Sequence, residues 1–547
     1  MKKLGFLLLT TQFLFAQEFT RRDSLQGGLR FERTCFDVLH YDLDIKIDPD
    51  TKSIAGVNLI SFNVVDNTRK IQIDLFENML VDSIIWQNKS IAYQRIDDAV
   101  FVEFPEELNA KSKQSLYFYY HGNPLAAKNA PWDGGFVWKR DHNNKHFVGV
   151  AVQGTGASLW FPVKDHQSDE PNLGATIKVA VPNGLMNVSN GRYIGKKDLG
   201  NGFTRWDWEV NSPINNYNIT INIGDYQHIY DRVGDLDLDY YVLKDHVAKA
   251  KKHFEEVKPM MQCFENKFGK YPFTVDGYKL VETPYLGMEH QSAIAYGNQY
   301  KKGYLGSDMT RTGVGMLFDY ITIHETGHEW FGNSVTSVDI ADMWIHESFT
   351  TYAESVFVEC EFGYDKAQTY INGQKSMVRN RKPVIGQFGV NFKTGNSDMY
   401  YKGALMLNTI RHVLNNDNLW WELLKDYSEN FRHKIIETKD VVTFFNEKTN
   451  KNLTPIFEQY LRHSKLPELK ISISDNTLTY YWNCDVIDFE MPFEMEVQGT
   501  RVRLNGTQKQ QTFNLKSNIN SKNELKFNQS NFFITVNIES KNAEKRP

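Results

Sequence analysis

Residues 324–328 read His-Glu-Thr-Gly-His, and a further glutamate, Glu347, follows with eighteen residues between it and His328. Imidazoles and carboxylates are the nitrogen and oxygen ligands that hold zinc. On a helix, at about 100° per residue, His328 lies one turn beyond His324 and roughly 40° round from it, with Glu325 roughly 100° round. Both imidazoles then reach one ion, and the carboxylate between them stands beside it unbound. A catalytic zinc takes three protein ligands and leaves a position for water. Residues 340–360 read as a second helix after the loop 332–339, and they carry Glu347 among Trp344, Ile345, Phe349 and Tyr352, residues of a packed helix. His324, His328 and Glu347 therefore give one zinc site per chain, with Glu325 placed to take a proton from water. His253, His412 and His463 lack ligand spacing and read as structural or exposed.

Period-2 and period-3.6 patterns divide the chain. In the stretch 41–48, Tyr41, Leu43, Ile45 and Ile47 alternate with Asp42, Asp44, Lys46 and Asp48, and residues 71–75 repeat the pattern. One apolar and one polar face predict an antiparallel sheet packed on one side. Similar runs continue to residue 227. Helical periods then take over, interrupted by the strand-like segment at 278–283, and run to about residue 461. Alternation returns from Leu469 to the end. The fold class is thus multidomain α+β: an N-terminal antiparallel β domain (17–227), a mostly helical domain carrying the zinc ligands (228–465), and a small C-terminal β-sandwich (466–547). A chain of 547 residues is too long for one core, in keeping with that division.

Lys2 and Lys3 precede an apolar run from Leu4 to Ala16. The run is shorter than the roughly 20 residues that span a bilayer. It reads as a signal peptide, residues 1–16, which predicts an exported protein, periplasmic or secreted, with no membrane segment in the mature chain. The net charge of −5 without a basic cluster excludes nucleic acid as a partner. Cys35, Cys263, Cys360 and Cys484 lie far apart and predict buried free thiols.

The stretches HETGHEWFGNSVT and DMWIHESFTTYAE resemble the M1 (gluzincin) zinc aminopeptidases, the aminopeptidase N group. Three further motifs carry the resemblance. The family's GxMEN corresponds to Gly287-Met288-Glu289-His290, without the extra residue after glycine. Its YxKG corresponds to Tyr400–Gly403, and a glutamine ahead of a Phe-Pro pair corresponds to Gln153 with FPVKD at 161–165. The resemblance implies a thermolysin-like catalytic domain in a short form, without the large C-terminal helical domain of longer members. It implies removal of N-terminal residues from peptides with a free amine. Glu325 would be the general base and Tyr400 the oxyanion donor, with Tyr401 the alternative. Glu289 would pair with the substrate's α-ammonium and Gln153 would assist as a neutral acceptor. The backbone of Gly287 and Met288 would pair with the peptide. An endopeptidase or an epoxide hydrolase on the same zinc is the enzymatic alternative, and a catalytically silent, zinc-stabilised binding protein the other. The chain departs from the family at His290 and His346, where asparagines are usual, at Ser348 for glycine, and at Thr326 and Gly327 for leucine and alanine. Gly327 is expected to cost its helix about 1 kcal/mol against alanine.

Overall fold

The computed structural model describes residues 19–392, 396–497, 499–516 and 524–540, so the expected signal peptide, 1–16, lies outside the described residues. The first helix, α1 (Arg21–Gly27), is capped by Thr20, whose hydroxyl accepts from Asp23 N. The alternation at 41–48 is realised in the strand Phe36–Asp48, where Tyr41, Leu43, Ile45 and Ile47 are buried and the residues between them are not. That strand sits inside an eight-stranded sheet, accompanied by a four-stranded and a three-stranded sheet. One pair departs from the expected antiparallel pattern: Phe36–Asp48 runs parallel to Ala175–Pro182. The two strands are joined by a long excursion and not by a hairpin, which is what parallel pairing requires. In the four-stranded sheet, the strand His146–Ala151 delivers the chain to Gln153.

A five-stranded sheet follows, built from β1 (Tyr226–Val233), β2 (Leu236–Leu243), β3 (Tyr278–Glu282), β4 (Gly287–Met288) and β5 (Ile294–Tyr296) in the order β1-β2-β3-β5-β4. β4 is an edge strand, paired antiparallel with β5. The helical pattern at 247–268 is interrupted by a tight turn at Phe254–Glu256 before α2 (Val257–Phe268).

Three helices carry most of the candidate site residues: α3 (Tyr320–Gly327), α4 (Trp344–Phe362) and α5 (Asp398–Leu414). Asp319 caps α3, its carboxylate accepting from Thr322 N at 3.1 Å, and every residue of α3 is buried. Two glycines let these helices approach. A Cβ on Gly327 would lie 3.2 Å from Thr350 Cγ2 of α4, and one on Gly403 would lie 1.7 Å from Ser348 Oγ. Gly403 is thus what allows α5 to settle on α4. Gly327 ends α3, with His328 holding helical dihedrals as its cap, so the expected propensity cost falls on a last turn that needs the space.

The C-terminal residues form a four-stranded and a three-stranded sheet facing each other. Trp482 of the first packs edge-on against Phe493 of the second at 6.1 Å. Their apolar faces are continuous with the core of the helical region.

The cysteine expectation requires correction. Cys263 on α2 and Cys360 on α4 form a disulfide, with Cα atoms 6.1 Å apart, while Cys35 and Cys484 are free thiols. The pairing was hidden because 97 residues separate the two cysteines and only the packing of α2 on α4 brings them together. Thiol alkylation followed by mass spectrometry should therefore label Cys35 and Cys484 after unfolding, and Cys263 and Cys360 only after reduction. Cys263→Ser should lower stability by about 2–4 kcal/mol, read as a lower urea midpoint.

Candidate active site

The two imidazoles reach the site from α3 with their outer nitrogens already engaged. His324 Nδ1 donates to Glu354 Oε1 at 2.7 Å, and Glu354 Oε2 accepts from Tyr370 OH at 2.7 Å and Gln374 Nε2 at 3.2 Å. His328 Nδ1 donates to the carbonyl of Phe331 at 2.9 Å, and Thr350 Oγ1 donates to the same oxygen at 3.1 Å. These bonds fix each ring and leave both Nε2 atoms to face inward. There they meet Glu347 Oε2, at 3.7 Å from His324 and 3.4 Å from His328.

Glu347 Oε2 is buried without a hydrogen-bond partner among the described residues, and the three donor atoms lie within 4.8 Å of one another. Ligands about 2.0–2.1 Å from a tetrahedral zinc stand about 3.3–3.4 Å apart. The spacing and the unsatisfied oxygen both fit one zinc ion. The local field agrees. Burial works against charge on His324, yet Glu347 and Glu354 raise its pKa well above the ordinary value. Burial likewise works to raise Glu347, yet His328 and His324 hold it well below the usual carboxylate range. The centre favours positive charge.

Around this set the other expected residues converge. Tyr400 OH donates to Glu347 Oε1 at 2.9 Å, and its ring stacks on His324 with centroids 6.1 Å apart. Tyr401 lies one position on, its ring centroid 6.1 Å from that of Tyr400. Glu289 Oε1 accepts from Gln153 Nε2 at 2.5 Å and from Tyr217 OH at 3.1 Å. Gln153 also reaches Glu347 Oε1 at 3.5 Å, so its amide donates to two carboxylates while its own oxygen remains for a ligand. Glu325 stands against Gly287, where a Cβ would lie 2.9 Å from Glu325 Oε1. Burial raises Glu325 to about 7 against the pull of His324, with Glu289 adding to the rise. Burial also raises Glu289.

Several participants were not identified from sequence. Glu354 lies seven residues after Glu347, two turns along the same face of α4, and that spacing was the available signal. Tyr217 gave none. Asn333 donates to the carbonyl of Glu289 at 2.7 Å and to Glu329 Oε1 at 3.0 Å, tying the end of β4 to the segment after α3. The two unusual histidines are both buried, which lowers each to about 3 and keeps them neutral. His346 Nε2 accepts from Ser337 N at 2.8 Å.

Comparisons with known proteins agree with this geometry. Residues 38–217 match the Peptidase M1 N-terminal domain and residues 252–460 the Peptidase family M1 domain. A leucyl aminopeptidase of Saccharolobus solfataricus is 20% identical over 383 residues, covering 66% of this chain and 48% of that protein. Aminopeptidase N of Lactobacillus helveticus is 21% identical over 467 residues, covering 82% of this chain and 53% of that protein. The chain spans about half the length of these relatives. The crystal structure of an M1 zinc metallopeptidase from Deinococcus radiodurans superposes with a TM-score of 0.67 at 20% identity, covering 81% of this chain and 96% of that one. With both of its domain types matched in order, and a buried donor set suited to zinc within the second, the chain belongs to peptidase family M1.

Proposed function

We propose that the protein is a zinc aminopeptidase that removes N-terminal residues from peptides with a free amine. The observation that carries this reading is the buried Glu289 carboxylate, held by Gln153 and Tyr217 next to the metal-ligand set. His324, His328 and Glu347 would hold the ion. Bound zinc would supply a Lewis acid for the scissile carbonyl and lower the pKa of water at the open position to about 7. Glu325 would take the proton of the attacking water and return it to the departing amine. Tyr400 would donate its hydroxyl to the oxygen that gains charge. Glu289 would pair with the α-ammonium, so that the first peptide bond, and no later one, reaches Glu325. β4 supports the same pose, because an edge strand can accept an extended peptide as an added strand.

We also infer export, from the basic start and the apolar run Leu4–Ala16. The Cys263–Cys360 disulfide supports an oxidising compartment. Mass spectrometry of protein recovered from its native host should find a mature N-terminus near Gln17. Recovery with Met1 or Lys2 in place would refute this reading.

Site variants separate the roles. Glu347→Ala should lose stoichiometric zinc. Glu325→Gln should keep the metal and lose turnover by about 10²–10⁴, since an amide takes no proton from water. Tyr400→Phe should keep the metal and lose about 10²–10³, mainly in kcat. Metal analysis beside steady-state kinetics reads all three. Near wild-type turnover in Tyr400→Phe, with loss in Tyr401→Phe, would move the donor by one residue.

The anchor is tested by a double cycle. Glu289→Ala removes the charge from the protein, and N-acetylation removes it from the substrate. Each should raise KM and lower kcat. Together they should cost less than the sum of the two alone, as directly coupled groups do. Additive losses, or efficient cleavage of the acetylated substrate by the wild type, would favour an endopeptidase.

A further inference from the structure

A cavity of about 130 Å³ opens beside Gln153. Its inner rim is made by Gln153 and Tyr217, which both bond Glu289, by Met343, one turn before Glu347, and by Met399, which precedes Tyr400. The outer wall is made by Gln26 and Gly27 of α1, with Phe392 on the segment packed against that helix. α1 lies ahead of residue 38, where the match to the M1 N-terminal domain begins, so the family description does not account for this wall.

α1 is nevertheless built into the site. A Cβ on Gly27 would lie 2.1 Å from Asn391 N, and that same nitrogen donates to the carbonyl of Asp23 at 2.9 Å. Phe19 meets Phe392 edge-on at 5.2 Å. Gln26 is 8% exposed, and its amide donates to the carbonyl of Thr155 at 2.8 Å and to Asp165 Oδ2 at 3.0 Å. Thr155 stands two residues beyond Gln153. The helix that walls the cavity therefore also pins the loop that carries the Glu289 partner.

We propose that α1 closes the pocket for the side chain of the substrate's first residue and sets its size limit, selecting an apolar or aromatic side chain about as large as a phenyl ring. The assignment rests on the aminopeptidase reading, since an ammonium held at Glu289 places the first side chain next to Gln153. The volume approaches the roughly 150 Å³ of an apolar cavity that takes up benzene. Ile340, Met343, Val390, Phe392 and Met399 supply apolar wall. Asp165 and Asp339 also line it, but each already accepts from two backbone N–H groups. Among the described residues no lysine or arginine lines the cavity, while Asp165 and Asp339 do, which disfavours an acidic first residue.

The test uses zinc-loaded full-length protein. Free phenylalanine, tryptophan, alanine and glutamate are titrated by calorimetry, and kcat/KM is measured for the four matching aminoacyl arylamides. Wild type should favour phenylalanine over alanine and over glutamate by about tenfold or more. Gln26→Ala shortens the outer wall and should shift the tryptophan-to-phenylalanine ratio about tenfold toward tryptophan. Gln26→Met fills the same volume and should keep the wild-type ratio, even where the lost amide bonds lower both rates. If Gln26→Ala does not fold, Phe392→Ala removes apolar wall beside α1 and should move the ratio the same way. An unchanged ratio in binding and turnover overturns the proposal and leaves the aminopeptidase reading intact. Wild-type protein that binds none of the four amino acids, or that prefers glutamate, also overturns it. Binding in the expected order without hydrolysis of any arylamide leaves the cavity as an amino-acid pocket walled by α1 but sinks the aminopeptidase reading and, with it, the assignment to a substrate's first residue.

Discussion

The crowding of buried carboxylates around two imidazoles is the constraint on which the rest of the site depends. Glu289, Glu325, Glu347 and Glu354 are all withdrawn from water. Each such group costs several kcal/mol to desolvate unless an opposite charge or a full set of donors compensates. Glu354 is compensated by His324, Tyr370 and Gln374, and Glu289 in part by Gln153 and Tyr217. Glu347 Oε2 has no hydrogen-bond partner among the described residues and faces only the two imidazoles, and Glu325 is raised to about 7 because burial disfavours its charge. The region thus concentrates negative charge that cations from outside the chain would relieve, as proposed above for a metal at Glu347 and an ammonium at Glu289. Its helices must pack tightly enough to keep water from satisfying those groups first.

That division explains what the sequence made legible. The spacing of His324, Glu325 and His328 is local geometry on one helix, and it could be read directly. Glu347 was legible because its helix carries a packed face around it. The alternation at 41–48 fixed a strand, but not its parallel partner, which depends on a chain path through the whole domain. The Cys263–Cys360 bridge, Tyr217 and α1 escaped for the same reason. Each acts across a distance in sequence that periodicity does not register, and each is placed by tertiary packing alone.

The position of Tyr400 depends on elements far from the ligands. α5 rests on α4 at Gly403, where Ser348 Oγ donates to the carbonyl of Met399 at 2.7 Å. Its other side is tied to the C-terminal sheets. Phe533 N donates to Thr409 Oγ1 at 3.0 Å, and Arg503 Nη2 donates to the carbonyl of His412 at 2.8 Å. Lys402 Nζ, beside the tyrosine pair, donates to the carbonyl of His463 at 2.7 Å. The C-terminal region thereby acts as a brace for the helix bearing Tyr400, consistent with the continuous core that joins it to the helical region.

The same logic accounts for His346, where the family usually has asparagine. The ring is fully buried and neutral, and Nε2 accepts the backbone N–H of Ser337 in the strand Val335–Ser337. This anchors the loop between α3 and α4 to the first turn of α4, next to Glu347. The imidazole reaches further from its backbone than a carboxamide does, so it can span a wider gap to the same kind of donor. A nearby crowding supports this: a Cβ on Gly332 would lie 3.4 Å from His346 Cγ and 3.1 Å from His328 Nδ1. Gly332, with φ of 128°, lies between the two histidines, where a side chain would crowd both rings. The replacement thus alters how the third ligand is supported and leaves the donor atoms themselves unchanged.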